Sequence, residues 1–150
     1  MKTKIISKIL LSLGLVFVLG SAITQVYSED ENLPIVSIHS TGDVTRGQTG
    51  SFVLAMKPAL APFGGSYVNF SVSGTAIQGV DYVALVSPAH IGQSGYGAML
   101  VKTLPDPRGS ADRQAYSVVV KLEPGPGYAI GEPSSATMWI EPSNVLPCCQ

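Results

Sequence analysis

Apolar and polar residues alternate along most of this 150-residue chain with a period of two rather than 3.6. Phe52, Leu54 and Met56 share one side of a run, as do Val68, Phe70 and Val72, then Tyr116, Val118, Val120 and Leu122, then Ala136, Met138 and Ile140. Successive side chains of a β-strand point to opposite faces, so this period predicts strands with one buried and one wetted face. Strands are expected over 34–39, 51–57, 67–73, 82–86, 98–104, 115–122 and 135–140, the fourth of them short and irregular. Residues 46–50 and 92–95 read as Gly-bearing turns, and 58–65 as a loop.

Seven such strands in roughly 110 residues predict an all-β fold, a seven-stranded immunoglobulin-like antiparallel β-sandwich. A true immunoglobulin domain is not expected, because the Cys…Trp…Cys pattern is missing. The sandwich is assigned to residues 34–141 and a flexible tail to 142–150.

The beginning of the chain follows a different rule. Lys2, Lys4 and Lys8 precede the apolar run 9–20 and a more polar stretch ending Val26-Tyr27-Ser28. That order predicts a cleavable signal peptide over 1–28, cut before Glu29. The run is shorter than the roughly 20 apolar residues a spanning helix needs, so no stable membrane span is expected after cleavage. Residues 29–33 then form an acidic lead-in. The formal charge of −1 changes to −4 once the three lysines go, and no basic stripe remains. Nucleic-acid binding therefore lacks an electrostatic footprint.

Cys148 and Cys149 are the only cysteines and lie together near the end. Either they join another chain in a disulfide-linked dimer, which an exported compartment permits, or they belong to a tail without a role. His39 and His90 have no nucleophile context, and neither Gly-x-Ser-x-Gly, a P-loop nor His-Glu-x-x-His occurs. The chain is thus expected not to be an enzyme. Trp139, opposite Met138 and Ile140, is expected to pack under a loop or at a rim rather than face water. Asn69-Phe70-Ser71 is a glycosylation sequon on the outward side of its strand.

Three motifs in order carry a resemblance. The first is Val44-Thr45-Arg46-Gly47 before a strand. The second is Gly74-Thr75-Ala76 through Gly79-Val80-Asp81-Tyr82. The third runs from Tyr116-Ser117-Val118 to Gly127-Tyr128-Ala129-Ile130-Gly131 and Ser135-Ala136-Thr137-Met138-Trp139-Ile140. Together, over about 35–141, they resemble a Calx-β domain. That resemblance implies an extracellular or periplasmic sandwich used in adhesion or as a spacer, often with a calcium site at one end.

The acids near the implied site are Asp43, Asp81, Asp106 and Asp112, of which Asp81 and Asp106 match the family's positions. Where the resemblance implies an acid in the first motif, this chain has Arg46, and Ala111 and Gln114 replace acids further on. Ca²⁺ takes 6 to 8 oxygen ligands, so two matching carboxylates suit a weak site or none. Two readings of Arg46 follow. Its guanidinium stands in for the metal and pairs with Asp81 and Asp106, or it points to water while Asp81 caps its own turn.

The expectation is a non-enzymatic, exported binding or structural module of Calx-β type, without a cofactor, meeting an unknown protein or surface partner in the periplasm, at the cell surface or in the medium. One alternative is a calcium-binding module using Asp81 and Asp106 with backbone ligands. Another is a small secreted hydrolase or enzyme inhibitor on a sandwich scaffold.

Overall fold

Alternation becomes strand at nearly every place where it is strong. A computed structural model describes residues 33–59, 64–105, 108–109 and 112–143. Among these residues the chain is all-β, without a helix, in ten strands. They are β1 (Ile35–Ser40), β2 (Val44–Thr45), β3 (Thr49–Lys57), β4 (Ser66–Val68), β5 (Phe70–Ser73), β6 (Ala89–Ile91), β7 (Tyr96–Lys102), β8 (Tyr116–Leu122), β9 (Ala129–Ile130) and β10 (Ser135–Glu141). The signal peptide assigned to 1–28, Asp106, Cys148 and Cys149 lie outside the described residues.

Two four-stranded sheets, ordered β7-β3-β1-β9 and β2-β10-β8-β5, and a β4-β6 pair make up the fold. Val36, Ile38, Phe52, Leu54, Met56, Met99 and Val101 project from the first sheet, and Val118, Val120, Leu122, Met138 and Ile140 from the second, into one shared core. Phe52, Leu54, Met56, Val118, Val120, Leu122, Met138 and Ile140 are on the apolar side that the spacing assigned to their runs. Exclusion of apolar surface from water therefore selects the same face that the period-two pattern marks.

Three differences from the sequence expectation have identifiable causes. First, residues 67–73 do not form one strand. Asn69 donates its N–H to the Tyr128 hydroxyl (3.0 Å) instead of to a neighbouring strand, and its carbonyl accepts from Glu123 N (2.9 Å). The chain there passes from β4, paired with β6, to β5, paired with β8. The Asn69 amide also donates to Pro124 O (3.2 Å), so the sequon side chain is tied to the neighbouring loop. Second, 82–86 forms no strand. Tyr82 makes an isolated bridge with Thr103 and Val83 N reaches Lys102 O (2.9 Å), after which Leu85 N turns to the Gln78 side chain (3.2 Å). Third, the sheets are not wholly antiparallel. The two-residue strands β9 and β2 lie parallel to β1 and β10 as short edge additions from loops.

Tyr128 deserves its burial, with 4% exposure, because its hydroxyl serves two backbones at once. It accepts from Asn69 N and donates to Glu123 O (2.7 Å), joining the sheet switch to the loop after β8. Tyr128→Phe leaves both backbone groups short of a partner and is expected to cost about 1–3 kcal/mol. Urea unfolding with an unchanged m-value would record that loss as a lower midpoint.

Candidate functional site

The turn between β5 and residue 82 is built by local backbone requirements. Gly74 has φ 119° and lies so close to the Ser117 carbonyl that a side chain would collide with it. Only glycine meets both conditions. Beyond it, Ala76 N donates to Ser117 O (2.9 Å). Thr75 N donates to Ser117 Oγ (3.1 Å), and Ser117 N to Thr75 Oγ1 (2.8 Å). The turn is thereby clamped to β8. It closes on itself through Asp81 N to Ile77 O (2.8 Å) and Gly79 N to Tyr82 O (2.8 Å). Tyr82 is buried in the core, with 1% exposure.

This geometry places the Asp81 carboxylate inside the protein, also at 1% exposure. A buried charge requires partners, and Asp81 has three donors. Ile77 N donates to Oδ2 (2.7 Å), so the carboxylate caps its own turn. Arg108 approaches as a two-pronged fork, with Nε to Oδ1 at 2.8 Å and Nη2 to Oδ2 at 2.7 Å. The Arg108 bonds are the main reason that the Asp81 carboxyl titrates below its ordinary value; burial opposes them, and the Ile77 N–H and the positive charges of Arg108 and Arg46 add to them. The same pairing pushes Arg108 further up.

Arg46 occupies a second, adjoining position. It leaves β2 with its N–H on Glu141 O (3.0 Å), which sends its side chain inward to 4% exposure. Its Nη2 donates to Asp112 Oδ2 (3.2 Å) and to Gln114 O (3.3 Å). Nε and Nη1 are buried without a hydrogen-bond partner among the described residues. Asp112 also accepts Gln114 N (3.0 Å) and the Tyr116 hydroxyl (3.0 Å). The Gln114 N–H is the largest influence holding its carboxyl low, with Tyr116 and Arg46 assisting against burial.

Tyr116 joins the two ion pairs. Its ring lies 4.2 Å from the Arg108 guanidinium carbon and 5.3 Å from that of Arg46. Both distances are within cation–π range. The result is a continuous series, Asp81–Arg108–Tyr116–Arg46–Asp112, with two positive and two negative charges. It ties together the 74–82 turn, the start of β8 and the β2–β3 turn.

Of the four candidate acids, the structure brings Asp81 and Asp112 into this series. Asp43 is used elsewhere, accepting Trp139 N (2.9 Å) at the β10 edge. Both readings of Arg46 are corrected: it is buried rather than pointing to water, and its partner is Asp112 while Arg108 takes Asp81; the Asp106 part of the first reading lies outside the described residues. Arg108 was missed because its loop was read only for acids. The sequence shows that an arginine stands in that loop, but not which carboxylate it meets. Trp139 stays on the outer face at 43% exposure rather than packing under a loop. All four oxygens of Asp81 and Asp112 accept N–H or O–H donors. Three donors on each carboxylate take up most of its acceptor capacity.

Because the folded Asp81 carboxyl is more acidic than the unfolded one, its contribution is complete above the unfolded value near 3.8 and disappears as pH falls through the folded value. Stability should therefore decline from about pH 4 downward. Asp81→Asn is expected to lower stability near neutrality by about 2 kcal/mol. It should also flatten that acid limb, as thermal melts between pH 2 and 7 would show.

Comparison with protein-family models gives no match for the chain, and a search of curated proteins finds no relative.

Proposed function

We propose that this chain is a non-enzymatic, exported binding or structural module of Calx-β type. In this reading its two four-stranded sheets are the layers of an immunoglobulin-like sandwich, and arginines do the work of the family's calcium. The observation that carries the reading is the Arg108 fork on the buried Asp81. Asp81 is the acid of the second resemblance motif, at a position where the family implies a metal ligand. Here that carboxylate is neutralised by a side chain of the same molecule. A planar, permanently charged fork gives two directed bonds to a carboxylate. Such a module would hold its end loops in register whatever the ion concentration outside the cell, which suits a scaffold meeting a protein or surface partner there. The shared core of the two sheets supports the sandwich assignment.

The reading predicts indifference to calcium. A ligand present at a hundredfold excess over its dissociation constant adds about 2.7 kcal/mol of stability. For a domain of this size that is a rise of roughly 10 °C in melting temperature. The expected result is a shift below about 1 °C between EDTA and several millimolar CaCl₂. A rise of several degrees, or saturable heat in a calcium titration of the wild-type chain, would overturn it.

A further inference from the structure

β7 is the end strand of its sheet, and its outer edge is left partly unpaired. The hydrogen bonds at its two ends set the phase. Met56 N donates to Gly95 O (2.8 Å) and Thr103 N to Gln48 O (3.0 Å). With Phe52 opposite Met99, the backbone groups of Gly97, Met99 and Val101 face β3. Those of Tyr96, Ala98, Leu100 and Lys102 face away. The outermost carbonyls are used, Tyr96 O by Gly92 N (2.9 Å) and Lys102 O by Val83 N (2.9 Å). Between them, the N–H and C=O of Ala98 and Leu100 have no backbone partner among the described residues.

The chain after Val83 bows away from this edge. After Val83 it diverts Leu85 N to Gln78, passes Pro88, which has no N–H, and enters β6, which pairs with β4. The bow leaves a cleft of about 560 Å³ beside the free edge, lined among others by Phe70, Leu85, Val86, His90, Ala98 and Met99. Among the described residues no Lys, Arg, Asp or Glu lines it. Apolar side chains stand exposed at its rim: Val86 at 81% and Tyr96 at 58%, with Leu100 at 65% along the strand. Residues 96–101 carry no charge or proline of the kind that commonly protects an edge strand, and the one charge on β7 is Lys102 at its end.

We propose that this edge is a docking site for an extended segment of a separate partner protein. The segment adds as a short strand to β7, and one uncharged apolar side chain enters the cleft. Two donors and two acceptors in the alternating arrangement of a strand are complementary to another extended main chain, and the cleft supplies the side-chain selection. In antiparallel pairing of two copies centred on Met99, Lys102 of one would lie opposite Tyr96 of the other, and the Lys102 carbonyl is already held by Val83 N, so that register is closed to a second copy. Val83 and Gly92 limit the guest to about three to five residues at roughly 3.3 Å each. This inference rests on the β7 edge and is independent of the charge series and of the calcium question.

The test uses the isotope-labelled full chain and a capped pentapeptide of alternating Thr and Val as probe. Its control is the same peptide N-methylated at alternate residues, which keeps the side chains and removes the main-chain donors. The expected result is a saturable amide shift at Ala98 and Leu100, with slowed hydrogen exchange there. N-methylation of the probe should weaken binding at least tenfold. Leu100→Pro should do the same, since it removes an outward N–H without touching the β3 ladder, and a melt compared with wild type shows that it folds. Val86→Asp, at an exposed rim position, should also reduce affinity without lowering the melting temperature. Equal binding of the methylated peptide, or no saturable shift with the unmethylated one, would overturn the proposal. So would Ala98 and Leu100 amides already protected in the free full chain, since a segment of the chain itself would then hold the edge.

Discussion

The buried carboxylate of Asp81 is the constraint around which one end of the molecule is organised. An ionised group at 1% exposure is stable only if its surroundings replace the water it has lost. The replacement comes from two distances in sequence. Ile77 N–H is four residues away and shapes the turn itself; the Arg108 fork is 27 residues away and brings a separate loop onto it. With the carboxylate held, Tyr82 enters the core beside it and Leu104 N reaches the Asp81 carbonyl (2.9 Å). The turn geometry, the loop position and the packing of an aromatic thus depend on one charge being satisfied.

The neighbouring Arg46 is a less complete solution to the same problem. Its guanidinium is as deeply placed, yet two of its three nitrogens lack a hydrogen-bond partner among the described residues. Burying an ion pair often offsets its Coulomb gain with desolvation, and unpartnered donors make that balance worse. The Tyr116 ring answers part of the cost by offering its negative face to both guanidiniums. Removing either acid would leave its arginine without an ionic partner, next to the ring that the other guanidinium also contacts. The pairs therefore act more as an orienting lock on three loops than as a large source of stability.

Satisfaction of polar groups also explains where the fold is open. At Asn69 the backbone groups displaced from a regular ladder are met by Tyr128 and Glu123, and the chain changes sheets without an orphaned bond. At Ala98 and Leu100 the groups left open by the outward bow of 83–88 find no backbone partner among the described residues. The same physical rule produces a closed switch at one place and an available edge at the other. The difference is whether a side chain or strand lies within reach.

Burial faces were legible in the sequence because the period of two is a local property: Phe52, Leu54, Met56, Val118, Val120, Leu122, Met138 and Ile140 are all inside as their spacing required. Gly74, with its positive φ, was legible as a turn former for the same reason, since a glycine requirement shows in the residue itself. The capping of the 77–81 turn by Asp81 was readable as one of two alternatives. What tertiary structure alone decided is the set of meetings between distant residues. Arg108 rather than Arg46 reaches Asp81, Arg46 reaches Asp112 across 66 residues, and residues 67–73 divide between two sheets. Neither composition nor periodicity encodes which guanidinium meets which carboxylate, because that choice is made by loop positions fixed only when the core has closed.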